Sequence, residues 1–411
     1  MTIFRPADIL IPKGTDFSKW SVVACDQYTS QPEYWEKAAR IAAGSPSALN
    51  IIFPEVYLDK GDNAERIASI NKTMAEYLSN GIFEELKDSF ILAERVQSNG
   101  KTRKGIIGCI DLEEYDFSKG SQSRIRATEG TIISRIPPRR EIRKNAPLEL
   151  PHILMLIDDP ERSVIEPVSG MKDKLKKLYD FELMLGGGHI EGYLIDGEAK
   201  EQLSLAVAAF ETDEKRNGLV YAVGDGNHSL ATAKTCWEEI KQTLADDEKK
   251  THPARYALVE LNNIHDTALE FEPIQRVVFG VEPEALLNGL IGYYKASRTD
   301  NGGQEIRYTY HGNEGSIYVQ DAPSNLPVGT LQKYIDKYLE ENGGEVDYIH
   351  GDSVVRELAA KPDTIGFMVD RMEKDDLFPT VIKDGALSRK TFSMGEAQDK
   401  RYYLECKRIT L

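Results

Sequence analysis

Apolar positions along the chain follow two spacings, and these predict where strands and helices lie. Short β-prone runs predict strands at 106–112, 153–157, 193–195 and 219–223. Apolar residues three and four apart predict helices at 63–78, 199–210, 230–240, 282–290 and 331–339. Ser30-Gln31-Pro32-Glu33 has the pattern of a capping box that opens another helix, through about residue 43. The two kinds of element do not alternate regularly, so we expect a mixed α/β (α+β) fold.

The length and composition of the chain are those of a globular protein. It has 411 residues, of which 41% are hydrophobic and 29% charged, and it is long enough for two domains. We expect residues 1–275 to form a catalytic core and residues 276–411 to form a C-terminal α+β region.

The charge and the cysteines exclude some classes of function. A net charge of −16 disfavours nucleic acid or an anionic membrane as the partner. The four cysteines are far apart and form no CxxC, which argues against a zinc knuckle or a disulfide framework. The start lacks the apolar core of a signal peptide, and no run reaches the roughly 18 apolar residues of a membrane span. We therefore expect a cytoplasmic protein.

A glycine-bracketed turn, Gly224-Asp225-Gly226-Asn227-His228-Ser229, lies between the strand predicted at 219–223 and the helix predicted at 230–240. Such a turn directs free backbone N–H groups and the positive end of the helix dipole to one place, which favours an anion. Asp225 and His228 add a carboxylate and an imidazole, so we interpret the turn as the phosphate site of an enzyme. The alternative is structural: Asp225 caps the helix, and His228 bonds to a backbone carbonyl.

A basic window between residues 124 and 144 is the second candidate site, with a local charge of +5. Guanidinium groups match phosphate or carboxylate oxygens, so the window suits an anionic substrate. The alternative is a solvated hairpin that turns at Pro137-Pro138. Arg126, Thr128, Glu129 and Thr131 lie together, and neighbouring arginines favour an ionised Glu129, which a metal ligand or a base requires. The charged residues of the window are Arg124, Arg126, Glu129, Arg135, Arg139, Arg140, Glu141, Arg143 and Lys144.

These motifs resemble those of the domain-of-unknown-function family numbered 1015. The resemblance is carried by Arg126–Thr131, Pro147–His152 with Asp158-Asp159, Gly224–Ser229, Asp26, Tyr28 and Lys390-Thr391-Phe392. The family is similar to the ParB and sulfiredoxin-like group of folds, to which free-serine kinases belong. Pyrophosphate-dependent serine kinases lie within the family or close to it. The resemblance therefore implies a ParB/sulfiredoxin-like catalytic core.

The chain departs from the family pattern within both motifs. The family's turn is usually Asp-Gly-His-His-Arg, so Asn227 stands for a histidine and Ser229 stands for the arginine. The other motif, His-Glu-x-Thr, is matched by Glu129 and Thr131, with Thr128 in the histidine position. These differences imply a subgroup with a different phosphate donor or acceptor.

The resemblance implies phosphoryl transfer to the hydroxyl of free L-serine, with pyrophosphate, ATP or ADP as the donor. Backbone N–H groups after Gly226 would hold the phosphate together with Asn227 and Ser229. His228 would donate to the phosphate or to the leaving oxygen. Neither a Walker GxxxxGK[ST] nor a kinase GxGxxG is present, which favours pyrophosphate slightly.

The remaining implied roles belong to cations, hydroxyls and carboxylates outside the turn. Glu129 and Asp225 are both candidates for the base and for a ligand of Mg²⁺, because hard carboxylate oxygens suit that ion. The other residues expected to bind substrate or phosphate are Arg126, Thr128, Thr131, Arg139, Arg143 and Lys390.

Other interpretations stay open. A phosphohydrolase would use the same groups with water as the acceptor, and a non-catalytic, nucleotide-binding ParB-like module would use them for binding alone. The loop Gly186–His189 either lines the same pocket or only connects two elements. Asp158-Asp159 either binds a metal or caps a turn. His152 lacks metal-ligand spacing, and we expect it to be structural.

Overall fold

The computed structural model describes residues 2–58, 60–216 and 218–411 and has the mixed α+β fold that the sequence predicts. The strands are β1 (Phe4–Arg5), β2 (Ala7–Pro12), β3 (Val22–Val23), β4 (Phe83–Val96), β5 (Thr102–Asp111), β6 (Ile125–Ala127), β7 (Leu148–Glu149), β8 (Leu154–Ile157), β9 (Lys176–Glu182), β10 (His189–Ile195), β11 (Tyr221–Asp225), β12 (Tyr256–Asn263), β13 (Phe271–Pro273), β14 (Gln275–Phe279), β15 (Gln304–Tyr310), β16 (Asn313–Val319), β17 (Glu345–Ile349), β18 (Thr364–Met368), β19 (Phe392–Met394), β20 (Tyr402–Tyr403) and β21 (Lys407–Arg408). The helices are α1 (Phe17–Trp20), α2 (Pro32–Ala42), α3 (Asn63–Ser79), α4 (Ile136–Arg143), α5 (Ile165–Ser169), α6 (Gly197–Thr212), α7 (Asn227–Ile240), α8 (Asp246–Thr251), α9 (Pro283–Tyr294), α10 (Pro327–Asn342), α11 (Asp352–Ala359) and α12 (Leu377–Asp384).

The chain folds into two compact units, and neither is continuous in sequence. The first unit comprises Met1–Ala127, Thr131–Leu269 and Gly395–Leu411, within the limits of the described residues. The second comprises Thr128–Gly130 and Glu270–Met394.

The first unit is built on a large mixed sheet with the strand order β6-β11-β8-β12-β5-β4-β10-β9, to which β1 and β2 add by pairing with β5 and β4. Strand β11 runs parallel to β6, and Arg126 lies opposite Ala222 in this pair. The two sequence motifs therefore meet on neighbouring strands. In the hydrophobic core of this unit, Trp20, Trp35 and Trp237 are almost fully buried, and Leu230 shares the buried face of α7 that the apolar spacing predicts.

The last segment of the chain, Gly395–Leu411, belongs to the first unit because its backbone is hydrogen-bonded there. Strand β20 pairs with β3, and β21 pairs with β7. Leu10 and Cys406 exchange two backbone hydrogen bonds of 2.8 Å. The functional division at residue 275 stays a prediction, whereas the packing of this segment is a property of the fold.

The second unit contains an antiparallel sheet with the order β16-β15-β18-β14-β17 and a separate pair, β13-β19. Val277, Val355 and Met368 form a small apolar cluster on this sheet. The segment Thr128–Gly130 joins the unit through a bridge between Glu129 and Leu387.

Most of the elements predicted from apolar spacing are confirmed, including helices α3, α6, α7, α9 and α10. The predicted capping box is wrong, because Gln31 is the N-cap of α2 and no side chain in the described part of the chain caps that helix. The hairpin alternative is also wrong, since Pro137-Pro138 lies in the first turn of α4, where a missing N–H is tolerated. Among the described helices, none has the length and apolar character required to cross a membrane.

Candidate functional site

Gly226 makes the turn between β11 and α7 possible. Its φ is +76°, and a Cβ added there would lie 3.0 Å from the Ile153 Cα, so a side chain would be both strained and crowded. Asp225 Oδ1 accepts from the Gly226 N–H at 2.8 Å, so the alternative in which Asp225 caps the helix is wrong. No side chain among the residues described caps α7, which leaves the N–H groups of its first turn available to an anion.

Lys400 contacts this turn. Its Nζ lies 3.4 Å from Asp225 Oδ2, and the two side chains are only 17% and 21% exposed. Arg95 Nη1 donates to the Lys400 carbonyl at 2.6 Å and so holds the lysine backbone in place. The lysine expected from the sequence is Lys390 instead, which lies exposed in the second unit.

His228 is neutral at neutral pH. Burial lowers its pKa to about 4, and the positive charges of Arg139 and Arg135 act in the same direction. Its Nε2 accepts from the Ile132 N–H at 3.2 Å, which leaves the proton of the neutral ring on Nδ1. The structural alternative has His228 bonded to a backbone carbonyl, whereas the bond found at its Nε2 comes from a backbone N–H. His228 can donate a hydrogen bond through Nδ1–H only.

His152 lies directly against the turn, although its sequence spacing predicts a structural role. Its Cδ2 would be 3.4 Å from a Cβ at Gly226. The Tyr403 hydroxyl is 2.8 Å from His152 Nδ1 and accepts from the Cys25 N–H at 3.2 Å. We therefore assign the hydroxyl proton to the bond with Nδ1, which places the ring proton of a neutral His152 on Nε2.

Asp26 is a second carboxylate near the turn. Burial raises its pKa, but the nearby His152, a hydrogen bond from Gln27 and the charge of Lys400 together hold that pKa below its ordinary value. Lys400 thus acts on two carboxylates, Asp26 and Asp225. No spacing rule in the sequence connects these three residues. The sequence marks Asp225 through the turn and Asp26 through the family resemblance, whereas Lys400 is not predicted.

The predicted basic window is largely neutralised by carboxylates from elsewhere in the first unit. Three glutamates outside the window pair with its arginines: Glu55 with Arg139, Glu149 with Arg143, and Glu239 with Arg140. Arg143 and Glu149 are 2.5 Å apart. The charge of +5 therefore overstates how much positive charge α4 offers to a substrate.

Arg126 differs from the arginines of α4 because it is buried in β6, with 3% of its surface exposed. Its Nε donates to the Ser123 carbonyl at 2.9 Å, and burial lowers its pKa. Within the described residues, three buried polar atoms of the predicted site lack a hydrogen-bond partner: Arg126 Nη1, Thr131 Oγ1 and Asn227 Oδ1. These atoms are free to bind a ligand, provided that it reaches them.

The predicted site residues are divided between the two units. Arg126, Thr131, Arg139, Arg143 and the turn from Asp225 to Ser229 belong to the first unit. Thr128, Glu129 and Lys390 belong to the second, where the Thr128 carbonyl accepts from the Leu387 N–H at 2.7 Å.

A cavity of about 130 Å³ lies beside the turn within the first unit. It is lined by three of the residues expected to bind substrate or phosphate, Ser229, Arg139 and Arg143. His152 and Glu55 also line it, and neither is predicted as a site residue.

The other chemical motifs have structural explanations. A Cβ at Gly188 would lie 2.0 Å from the Val96 carbonyl oxygen, so the Gly186–His189 loop is a tightly packed connection. Asp159 accepts from the Ser163 and Val164 N–H groups at 2.7 and 3.0 Å, which confirms the capping alternative.

One cluster of side chains in the described residues could hold a metal, and it lies away from the predicted ligands. It consists of Asp180, His189 and Glu191. Lys177 pairs with its two carboxylates at 2.5 and 2.9 Å, so the cluster already has a cation.

A family model described as a protein of unknown function (DUF1015) matches residues 8–374 of the chain. No curated protein matches the chain.

Solved structures with similar folds have low sequence identity to this chain. A free serine kinase in complex with AMP is 12% identical, with a TM-score of 0.37, and the match covers 75% of this chain and 92% of that one. A conserved hypothetical protein from Pyrococcus furiosus is 10% identical, with a TM-score of 0.36 and coverage of 74% and 95%. SbnI with a C-terminal truncation, from Staphylococcus aureus, is 11% identical, with a TM-score of 0.36 and coverage of 72% and 82%.

Proposed function

Since the chain belongs to the DUF1015 family, which is described only as of unknown function, we propose from its site that it is a phosphotransferase acting on the hydroxyl of free L-serine. In this reaction the serine oxygen bonds to the phosphorus of the donor, and the bond from that phosphorus to the leaving oxygen breaks. The hydroxyl proton passes to a base. The products are O-phosphoserine and the donor shortened by one phosphoryl group.

The observation that carries the proposal is the uncapped N-terminus of α7, with cationic side chains beside it. Within the first unit, Lys400 contacts Asp225, and Arg139 lies near enough to His228 to lower its pKa. Fixed N–H groups and cations stabilise developing negative charge without reorganising during the reaction. Phosphoryl transfer depends mainly on such positioning and charge neutralisation.

The turn residues have distinct roles in this proposal. The backbone N–H groups of Asn227, His228 and Ser229 hold the transferring phosphoryl group. The neutral His228 ring donates from Nδ1–H to a phosphate oxygen, because Nε2 is already an acceptor. Lys400 balances the charge of Asp225 and of the donor. Arg126, with its unpartnered Nη1, is a further anion ligand.

Mg²⁺ fits the chemistry of the donor set at the turn. The ion is usually bound by one or two carboxylates together with substrate phosphates. Asp225 supplies one carboxylate, and Asp26 lies near the same lysine. We propose Asp225 as the ligand, and the bound ion would neutralise donor oxygens. Glu129 remains the second candidate for base or ligand, in its own unit.

The test is formation of O-phosphoserine from L-serine and Mg²⁺, with pyrophosphate, ATP and ADP supplied in separate reactions. We expect product with one donor and none when L-alanine, which has no hydroxyl, replaces L-serine. Phosphate release without phosphoserine would instead identify a phosphohydrolase. No phosphoserine and no phosphate from any donor would overturn the proposal.

A further inference from the structure

The cavity beside the turn is the right size for a small acceptor and too small for a nucleotide. Its volume is about 130 Å³. A cavity of roughly 150 Å³ holds one benzene molecule, which has six heavy atoms, so this one has room for about five or six. Ser229 lies in the first turn of α7 and lines the cavity, so a molecule held there lies next to the proposed phosphate site.

Two carboxylates among the described residues line the cavity, and Glu55 is the one with an oxygen that can still accept a hydrogen bond from a ligand. Its Oε1 accepts from Arg139, and within the described residues its Oε2 makes no hydrogen bond. The other carboxylate, Glu149, is fully used, because Oε1 accepts from the Leu258 N–H at 2.8 Å and Oε2 accepts from Arg143 at 2.5 Å. A ligand cation entering the cavity therefore meets Glu55.

The surroundings of Glu55 favour an additional positive charge. The side chain is 17% exposed, and burial raises its pKa despite the presence of Arg139, with Asp26 acting in the same direction. An ammonium group donating to Oε2 would offset this cost. The rest of the cavity wall is mainly apolar and includes Ile51, Phe53 and Leu150.

We infer that this cavity binds the amino group and the aliphatic carbons of a small amino acid, with Glu55 Oε2 accepting from the ammonium. This inference rests on the proposed function only for what happens to the amino acid afterwards. Glu55 is then the residue that distinguishes an amino acid from the corresponding hydroxy acid. Its apolar neighbours contact the carbon skeleton and limit the size of the side chain.

The test measures binding to the full chain by calorimetry, without a phosphate donor. The probes are L-serine, L-alanine, which keeps the ammonium but has no hydroxyl, and 3-hydroxypropanoate, which is serine without its amino group. We expect the wild type to bind both amino acids more tightly than 3-hydroxypropanoate. Glu55→Gln keeps an oxygen for Arg139 and should weaken L-alanine binding about 10- to 100-fold, with little effect on 3-hydroxypropanoate.

Two further variants separate this role from a loss of structure. Glu239→Gln removes a carboxylate that pairs with Arg140, the neighbour of Arg139 in α4, but does not line the cavity, and this variant should bind L-alanine like the wild type. Ala146→Leu adds carbon atoms to the cavity wall and should abolish L-alanine binding, with thermal unfolding confirming that the variant is folded. Unchanged L-alanine binding in Glu55→Gln or in folded Ala146→Leu would overturn the inference.

The same measurement distinguishes this inference from the proposed function. Amino-acid binding that depends on Glu55, without phosphoserine formation, would support the cavity assignment and overturn the kinase proposal. Phosphoserine formation with unchanged kinetics in Glu55→Gln would support the kinase proposal and overturn the cavity assignment.

Discussion

Lys400 Nζ lies 3.4 Å from Asp225 Oδ2, and this contact joins the C-terminal segment of the chain to the turn before α7. Two arginine side chains and one backbone N–H of the first unit bond to that segment. Arg95 donates to the Lys400 carbonyl, Arg103 donates to the Asp399 carbonyl at 3.1 Å, and the Ser98 N–H donates to Asp399 Oδ1 at 2.8 Å. The Lys400 side chain thus extends to the proposed site from a backbone that hydrogen bonds hold in place.

Lys400→Met should therefore impair phosphoryl transfer far more than it impairs folding. We expect kcat/KM to fall about 100-fold, because a fixed cation is removed from the developing charge. The free energy of unfolding should fall by about 1–2 kcal/mol, since Asp225 loses a partly buried partner. Steady-state kinetics and urea unfolding check both values. Lys400→Arg should recover part of the activity, and full activity in the methionine variant would contradict the role.

His228 should make stability depend on pH in a defined range. Its pKa is about 4 in the folded chain and 6.5 in the absence of the fold, so the unfolded chain binds the proton first as pH falls. The contribution of the neutral ring is complete above pH 6.5 and is lost towards pH 4. With allowance for partial solvent exposure, the loss is about 1–2 kcal/mol. His228→Asn should lack this loss in urea unfolding measured across the range. Parallel curves of unfolding free energy against pH for the wild type and His228→Asn would exclude this contribution of His228.

Gly226→Ala should cost more stability than the same change at an unconstrained glycine with the same backbone conformation. Gly226 has a φ of +76° and Ile153 at 3.0 Å, whereas Gly100 has a φ of +75° and no atom within 4 Å of an added Cβ. We expect Gly100→Ala to cost about 1 kcal/mol and Gly226→Ala about 2–3 kcal/mol. Thermal unfolding checks the difference. Equal costs would show that the turn tolerates a side chain.

Arg139→Ala should destabilise the first unit because it leaves Glu55 partly buried without its partner. Each side chain of the pair is 17% exposed, so we expect a loss of about 2 kcal/mol in the free energy of unfolding. The double variant Arg139→Ala with Glu55→Gln should recover part of that loss. The single variant Arg139→Ala should also raise the KM for the phosphate donor. An effect on unfolding alone would assign Arg139 a structural role.

Glu129→Gln tests the carboxylate predicted from the family motif. If Glu129 is the base or a metal ligand, turnover should fall about 100-fold or more, with a change of no more than about 1–2 kcal/mol in the free energy of unfolding. Glu141→Gln is the matched control, because that glutamate lies in the same window but pairs on the surface with Arg140 and Lys144. Equal turnover in the two variants would remove Glu129 from the site.

Local chemistry determined the elements and the position of the turn. The helical spacing of Leu230, Ala233 and Trp237 predicts the buried face of α7, because residues three and four apart share one side of a helix. The glycine-bracketed turn predicted before α7 is present, and Gly226 has a left-handed backbone there, which glycine adopts without a Cβ penalty. Neither inference needs information from the rest of the chain.

Pairing between distant residues was decided only by the tertiary structure. The window around α4 carries a charge of +5 in sequence, yet two glutamates distant in sequence, Glu55 and Glu239, neutralise Arg139 and Arg140 in the fold. Likewise, Lys400 and His152 reach the turn through strand pairing and packing across the first unit. Electrostatic interactions depend on distance in space, and sequence separation carries no measure of that distance. The chemistry of the turn was therefore visible in the sequence, whereas the groups that surround it were not.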